Sequence, residues 1–364
     1  MWNEERLAQL GLCCCPGVGS RTLRKLRRGV SCWQEAWSAS RADYLAMGLT
    51  ERMADRLVAW KPTTDLEALA QTYDQQSIQV VFPEDTEFPR LLRASSDAPG
   101  VLFIRGTLTD LPLIAVVGTR RFTTYGRYAV NAMVPALVQS GLGIVSGLAL
   151  GIDALAHTAA LDYQGYTVAV LGDGLDNPSL YPRQNYQLAH RILDQGGCLM
   201  SEFPIGVEAR REFFPMRNRI IASLTSATLV VEATQKSGSL ITAKLALDEN
   251  REVLAIPGPI WSQGSAGTNT LLQLGAKPCL TANDVLETLA LDRPVLVAKA
   301  RAALPLDADE ERLITLLKDP RHVDDLATLA ELTVAQTTSK LSLLELKGLV
   351  TALGGQLWSA TLPV

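Results

Sequence analysis

The sequence predicts an α/β protein built around a parallel sheet, and three observations indicate it. Between residues 80 and 291, short apolar runs rich in Val, Ile and Leu alternate with segments of helical periodicity. Strands that are apolar throughout and alternate with helices are typical of a parallel sheet covered on both faces. Residues 1–75 show only helical spacing, and residues 310–364 show the pattern of three helices followed by a hairpin.

The composition limits the classes of protein and of partner. The chain has 364 residues, of which 47% are hydrophobic and 20% charged, so we expect a folded protein with more than one domain. Its net charge is −4, so a nucleic-acid partner would have to be held by a local basic patch. The N-terminus lacks a signal pattern and no apolar run reaches the length of a membrane span, so we predict a cytoplasmic protein with no membrane contact.

The cysteines do not form a pattern typical of a metal site or of a disulfide framework. None is part of a CxxC pair or lies near a histidine; the six are Cys13, Cys14, Cys15, Cys32, Cys198 and Cys279. We therefore expect buried or half-buried free thiols and no metal.

Residues 1–75 are predicted to form a helical domain of the sterile-alpha-motif or helix-hairpin-helix type. A glycine-rich turn at 16–19 precedes a helix carrying five cations, Arg21, Arg24, Lys25, Arg27 and Arg28. Turn glycines at a helix start can expose N–H groups to a phosphate. Charge runs are also common on solvated faces. Both interpretations of this segment, DNA contact and simple packing, stay open.

The middle segment, 80–291, is predicted to be an extended Rossmann-like domain. Nearly every apolar run ends in Gly or a small polar residue; the runs are 113–118, 143–147, 167–172, 198–203, 227–233 and 252–258. The helices between them are predicted over 127–139, 153–163, 183–193 and 240–249. Since ligands bind outside the carboxyl ends of strands in open α/β sheets, the site residues should lie in these strand-end turns.

The first two strand-end turns carry anion-binding chemistry. Gly118 allows close approach, Thr119 offers a hydroxyl, and Arg120 offers a bidentate fork for phosphate. The next turn contains Ser146 and Gly147. Asp153, further on in that segment, is interpreted as a helix cap. The glycine spacing in these turns is not that of a dinucleotide fingerprint, so we predict no such cofactor.

The most informative stretch is 210–223, which interleaves cations with aromatic rings. It contains Arg210, Arg211, Phe213, Phe214, Arg217, Asn218 and Arg219. Cations that follow a backbone, mixed with rings that can stack bases, suit a single-strand site without sequence preference. At least one Phe is expected to be part of the core. Arg183, which begins a helix after the third strand, could face the same crevice.

Another anion cradle follows the fifth strand. It consists of Lys236, Ser237, Gly238 and Ser239 at a helix start. It is not a Walker A loop, because Gly-Lys-Ser/Thr does not occur in the sequence, so ATP hydrolysis by that route is not predicted.

The C-terminal segment is predicted to be a linker over 292–309 and a winged helix over 310–364. The segment expected to be the recognition helix, 333–347, carries only Lys340 and Lys347 against Glu345. Helices that read DNA usually carry more positive charge, so a protein-contact or packing role is favoured here.

Taken together and in order, these motifs resemble the DprA/Smf family of DNA-processing proteins. The matching segments are GTR at 118–120, SGLALGID at 146–153, YPRQN at 181–185, SEFP at 201–204, FPMRNRIIA at 214–222, VVEATQKSGSLITA at 230–243 and GTN…LGA at 267–276. The resemblance implies a protein of natural transformation that binds and protects incoming single-stranded DNA. It further implies help in loading RecA onto strands coated by single-strand-binding protein, without catalysis.

The resemblance also implies a homodimer formed by the Rossmann-like domain, near residues 252–276. It implies phosphate contacts by basic residues of the turns, which fall here on Arg120, Arg183, Arg210, Arg211, Arg217, Arg219 and Lys236.

Two other functions compete with this one. A Rossmann-like nucleotide phosphoribohydrolase of the lysine-decarboxylase-like type would need a PGGxGTxxE signature, which is absent; Glu202 and Glu232 could be catalytic or could hold arginines. A winged-helix transcription regulator with a small-molecule sensor would need a more basic recognition helix.

Overall fold

The structure is a computed structural model, in which the chain forms two compact units, Met1–Leu289 and Ala290–Val364. The residues it describes are 2–289, 306–317, 319–346 and 349–360. Most of the predicted linker, 292–305, and Lys347 of the predicted recognition helix lie outside them.

The first unit contains a nine-stranded sheet with the order β1-β2-β6-β5-β4-β3-β7-β8-β9. The strands are β1 Ile78–Val81, β2 Leu102–Gly106, β3 Leu113–Val117, β4 Gly143–Ser146, β5 Thr167–Leu171, β6 Cys198–Ser201, β7 Ala227–Val230, β8 Glu252–Ala255 and β9 Lys277–Pro278. Strands β3 to β9 pair in parallel, so the predicted Rossmann-like core is confirmed. Strands β1 and β2 pair antiparallel at one edge, which the sequence pattern did not indicate.

Fourteen α-helices are described in this unit. They are α1 Glu4–Cys14, α2 Ser20–Gly29, α3 Trp33–Ser38, α4 Arg41–Ala46, α5 Glu51–Trp60, α6 Leu66–Gln75, α7 Arg90–Arg93, α8 Thr124–Gln139, α9 Ile152–Asp162, α10 Tyr186–Asp194, α11 Phe213–Leu224, α12 Ser239–Asp248, α13 Ala266–Gln273 and α14 Ala282–Thr288. Helices α8, α9 and α10 pack against one another in turn, and α11 packs on α12. The two groups cover opposite faces, because the chain moves from β3 towards β6 and then returns past β3 to β7.

The N-terminal helices share a hydrophobic core with the sheet. The Tyr73 ring of α6 stacks on Phe103 of β2 with centroids 5.0 Å apart, and the Tyr73 hydroxyl accepts a hydrogen bond from the Ile205 N–H at 3.2 Å. Residues 1–75 therefore lie within the same compact unit as the sheet. The domain boundaries drawn from the sequence stay a prediction.

Three of the five cations on the basic helix α2 form ion pairs or hydrogen bonds within the protein. Arg24 forms an ion pair with Asp97 at 2.9 Å, Lys25 donates to the Gly48 carbonyl, and Arg27 donates to two carbonyls that follow the helix. Arg21 and Arg28 have no such partner within the described residues. The DNA-contact interpretation of this helix therefore depends on these two side chains.

The predicted free thiols are confirmed. Five of the six cysteines are buried and Cys32 is half-buried, and none is paired in a disulfide. Burial raises the pKa of Cys14 to about 12, and its sulfur lies 3.3 Å from the Tyr73 hydroxyl. The five buried thiols pack within the protein, and burial makes them poor nucleophiles.

The second unit has the predicted winged-helix pattern. Its elements are α15 Ala308–Leu316, β10 Arg321–His322, α16 Val323–Ala330, α17 Val334–Leu346, β11 Val350–Gly354 and β12 Leu357–Ala360, with the sheet order β10-β12-β11. Lys340 of α17 forms ion pairs with Asp307 at 2.7 Å and Asp309 at 3.2 Å. The positive charge predicted for this helix is therefore partly neutralised within the unit.

Across both units, no helix among the described residues is long and apolar enough to cross a membrane.

Candidate nucleic-acid interface

The sheet has a topological switch point between β3 and β7. The chain leaves β3 towards β4 on one side, and β7 and β8 continue the sheet on the other side. The helices that follow β3 and β7 therefore diverge onto opposite faces, and a crevice opens at the carboxyl ends of these two strands. Its walls are the loops 118–123 and 231–238.

The first wall presents Arg120 to solvent. Gly118 has no room for a side chain, since a Cβ there would lie 2.6 Å from Ile152. The Thr119 hydroxyl is buried and accepts the Arg121 N–H at 3.2 Å, so it stabilises its own turn. Arg120 is exposed, and within the described residues its backbone N–H and its guanidinium have no hydrogen-bond acceptor.

Aromatic rings lie next to the cations of this edge. The Arg120 guanidinium lies over the Phe214 ring at 5.4 Å, and the Tyr181 ring lies 5.9 Å from Phe214. Tyr181 is 47% exposed and is joined to Pro182 by a cis peptide bond. Tyr181 belongs to the YPRQN motif but was not among the predicted site residues, although an aromatic residue directly before Pro-Arg is a usable signal.

A second pair of a cation and a ring lies at the start of α11. The exposed Arg210 guanidinium lies 5.8 Å from the Phe213 ring, which itself stacks on Phe203 at 4.4 Å. Phe213 and Phe214 are both half-buried, so each serves the core and the surface together. Arg211, beside them, is exposed and unpaired among the described residues.

The second wall of the crevice is the turn before α12. Lys236 is exposed, the Ser237 and Ser239 hydroxyls bond to each other at 2.8 Å, and Asn218 donates to the Gly238 carbonyl at 3.5 Å. No atom lies near the position of a Cβ on Gly238, and the Gly238 N–H has no acceptor within the described residues. This open helix start beside a lysine can hold an anion.

The turns after β4 and β5 are mostly engaged with the protein itself. The buried Ser146 hydroxyl donates to the Val116 carbonyl at 2.7 Å, and the Gly147 N–H donates to Asp153 at 3.0 Å. Asp153 lies inside α9, whose N-cap is Gly151, so the predicted capping role is wrong. Its carboxylate holds the preceding turn instead. Arg183 is exposed but donates to the Asn177 and Pro178 carbonyls.

Arg217 lies beneath the crevice and is 4% exposed. It donates to the Val170 carbonyl, and a Cβ on Gly147 would lie 2.0 Å from its guanidinium. Burial lowers the pKa of Arg217, and burial raises the pKa of Asp173 to about 7. Asp173 and Asp153 are the nearby charges that favour the cationic form of Arg217. This side chain therefore connects the turns after β4 and β5 from within the protein.

Arg219 is likewise directed into the protein. It forms an ion pair with the half-buried Glu202 and donates to the Asp97 carbonyl. The predicted site residues thus fall into two sets. The outward set is Arg120, Arg210, Arg211, Lys236 and Gly238, and the set engaged within the protein is Gly118, Thr119, Ser146, Gly147, Phe213, Arg217, Asn218, Arg219, Ser237 and Ser239. Arg183 belongs to both, because it is exposed and also donates to two backbone carbonyls.

The two acids considered for the enzymatic alternative are both engaged. Glu232 is 2% exposed and accepts the Thr123 N–H at 2.9 Å at the start of α8. Glu202 holds Arg219. Among the described residues there is also no group of three His, Cys, Asp or Glu side chains suited to a metal ion. Both carboxylates serve the architecture of the edge.

The fold and this edge define the class of protein: a Rossmann-like sheet with cations, aromatic rings and an open helix start at its carboxyl edge, followed by a winged helix. The family model for DNA recombination-mediator protein A matches residues 79–290, and that for the DprA winged helix domain matches residues 297–356. The chain belongs to the DNA recombination-mediator protein A family, known as DprA or Smf.

Individual relatives agree with this assignment. Protein Smf of Escherichia coli is 39% identical over 321 residues, covering 85% of this chain and 84% of the relative. The crystal structure of DNA processing protein A from Streptococcus pneumoniae superposes with a TM-score of 0.67 at 32% identity, covering 79% of this chain and 98% of that one. The structure of the protein from Helicobacter pylori was described for its single-stranded DNA binding mode. It superposes with a TM-score of 0.53 at 29% identity, covering 59% of this chain and 96% of that one.

Proposed function

We propose that this chain binds single-stranded DNA along the carboxyl edge of its sheet. The observation that carries the proposal is Arg120, whose exposed guanidinium lies over Phe214 at the switch point and has no ion-pair partner among the described residues, with Lys236 on the opposite wall. A guanidinium suits phosphate, and a half-buried ring beside it suits a base. The single-stranded DNA binding described for the Helicobacter pylori relative supports this ligand.

The free cations and N–H groups hold successive phosphates, and the rings of Phe214 and Tyr181 stack bases. Since phosphate contacts carry no direct sequence information, most of the affinity is independent of sequence. With about five phosphates neutralised, log K falls with log salt at a slope of about −3.5. A stiff duplex fits the crevice less well than a single strand.

The role in the cell follows from the family. We infer that the protein protects incoming single strands during natural transformation and recombination, and helps to load RecA onto them in the presence of single-strand-binding protein. It acts in the cytoplasm as a homodimer formed through the Rossmann-like domain, without catalysis of its own. The engaged states of Glu202 and Glu232 support a binding role over hydrolysis.

Fluorescence anisotropy with a labelled dT oligonucleotide tests the site. Arg120→Ala should weaken binding at least about tenfold, since a hydrogen bond to a charged group and a ring contact are both lost. The matched control is Arg90→Ala. Arg90 is also exposed, and it lines a groove with Leu113 and Ser226 at the amino ends of β3 and β7. The Arg90→Ala variant should bind the oligonucleotide with wild-type affinity at every salt concentration.

Circular dichroism would establish that both variants are folded, and an equal-length duplex would be titrated alongside. Equal affinity of wild type and Arg120→Ala would refute the crevice as the binding site. If Arg21→Ala/Arg28→Ala then lost binding, the DNA would lie on α2 instead.

A further inference from the structure

A groove of about 420 Å³ lies on the α9 and α10 side of the sheet edge, beyond the contacts described so far. Its wall on α9 contains Ala154 and Thr158, and its opposite wall contains Gln184 and Gln187 at the start of α10. Phe122 also lines it. Its size falls within the range of small-molecule sites.

One end of the groove lies next to Arg120. Gly151 lines it, and a Cβ on Gly151 would lie only 2.6 Å from the Arg120 Cα, so the two backbones are in contact. Asn185 fixes the other wall, because its amide donates to the Leu148 carbonyl in the turn after β4 at 2.8 Å. A strand held at Arg120 can therefore place its next nucleotide in the groove.

The lining does not suit a phosphate. Among the described residues that line it, the only cation is Arg191, which already forms an ion pair with Asp162 at 2.6 Å. The other polar side chains include Gln184 and Gln187, whose carboxamides are exposed and make no hydrogen bond within the described residues. Each carboxamide offers both a donor and an acceptor. Together with the Phe122 ring, they suit a flat, uncharged group with donors and acceptors on its edge.

We propose that this groove holds one nucleobase of the bound strand, with Gln184 and Gln187 hydrogen-bonding to its edge. The proposal rests on the single-strand binding proposed above and adds a limited base preference to it. Carboxamides pair best with bases whose adjacent donor and acceptor match them, as adenine does. Phosphates still supply most of the affinity, so the preference acts on top of a binding strength that depends on salt.

The test measures affinities for equal-length single strands made only of dA, dC or dT, at several salt concentrations, with the full chain. Wild type should separate its best from its worst strand by about fivefold, the low end of what a base-edge contact contributes. In Gln184→Ala/Gln187→Ala the three affinities should converge to within about twofold, with an unchanged salt slope because no phosphate contact is lost.

A second variant and a matched control accompany this measurement. Ala154→Phe fills the groove from α9 and should abolish the base preference in the same way. Gln139→Ala/Gln195→Ala removes two carboxamides that are also exposed and unbonded among the described residues, but lie just before β4 and β6 at the amino edge. It should keep the wild-type ranking of the three strands.

Each result has a distinct meaning. Equal wild-type affinities for the three strands, or an unchanged ranking in the double glutamine variant, would overturn the groove proposal while leaving single-strand binding intact. A uniform loss with a shallower salt slope would also overturn it, because the glutamines would then act in phosphate binding. If wild type bound none of the strands, the proposed function itself would fail.

Discussion

Two arginines of the same edge differ in what surrounds them. Arg120 is exposed and, within the part of the chain that the structure describes, its guanidinium contacts the Phe214 ring and no acceptor, whereas Arg217 is 4% exposed and donates to the Val170 carbonyl. Both belong to sequence motifs of this edge, and a single sequence does not show which of the two side chains is exposed. Burial makes Arg217 a structural cation, since moving it to a phosphate would leave Asp153 and Asp173 without the nearby positive charge.

The first prediction concerns this difference in burial. Arg217→Ala should lower the free energy of unfolding by on the order of 3 kcal/mol, because two buried carboxyls lose their cation. Arg120→Ala should change it by less than about 0.5 kcal/mol, as is usual at an exposed position. Urea denaturation followed by circular dichroism measures both. A stable Arg217→Ala protein that has lost DNA affinity would show instead that Arg217 contacts the strand.

At the scale of elements, the start of α9 determines where Arg120 stands. Gly151 is the N-cap of α9, with φ of +94°, a backbone conformation that favours glycine. A Cβ there would lie 2.3 Å from the Thr119 carbonyl oxygen. The turn after β3 and the start of α9 therefore fit together only because this position has no side chain.

Replacing this glycine should damage stability and binding together. Gly151→Ala should lower the free energy of unfolding by about 3 kcal/mol or more, because the backbone is strained and the new Cβ collides with the Thr119–Arg120 turn. It should also weaken the binding of single-stranded DNA. Gly196→Ala is the control, since Gly196 also has a positive φ, +78°, but nothing lies near its Cβ position. Gly196→Ala should lower the free energy of unfolding by only about 1–2 kcal/mol and leave DNA binding unchanged. Thermal unfolding measures the stability of the two variants, and fluorescence anisotropy measures their DNA affinity. An equal loss of stability in both would contradict a collision at Gly151.

At the scale of the whole molecule, the sheet ends in an edge that leaves apolar side chains uncovered. Leu274 and Leu280 flank the short edge strand β9 and are 76% and 70% exposed. Exposed apolar groups beside an edge strand suit contact with another chain. Leu274 belongs to residues 252–276, where the homodimer is proposed, and Leu280 follows that segment closely.

We expect Leu274→Glu/Leu280→Glu to raise the dimer dissociation constant at least about 100-fold, since burying each leucine contributes about 1.5–3 kcal/mol. Leu247→Glu is the matched control, because Leu247 is 52% exposed but lies on α12. Sedimentation equilibrium would measure the association of all three proteins. A double variant that dimerises like wild type would place the interface elsewhere.

Much of the fold could be predicted because its signals are local. The apolar runs at 113–118 and 227–233 contain β3 and β7, and glycines after strands mark the turns that form the edge. The same reasoning missed β1 and β2, because their antiparallel pairing at the sheet edge depends on residues far apart in the sequence. It also described residues 1–75 separately, although Tyr73 packs on Phe103 in a common core.

By itself, the sequence determined the α/β class, the winged-helix pattern and the family, because these depend on periodicity and on motif order. It also placed the basic and aromatic residues in strand-end turns. Only the tertiary structure decided that Arg120 is exposed while Arg217 is buried, and that Tyr181 lies beside Phe214. The reason is physical: the exposure and partners of a side chain are set by segments that meet only when the sheet assembles, and no local pattern encodes them.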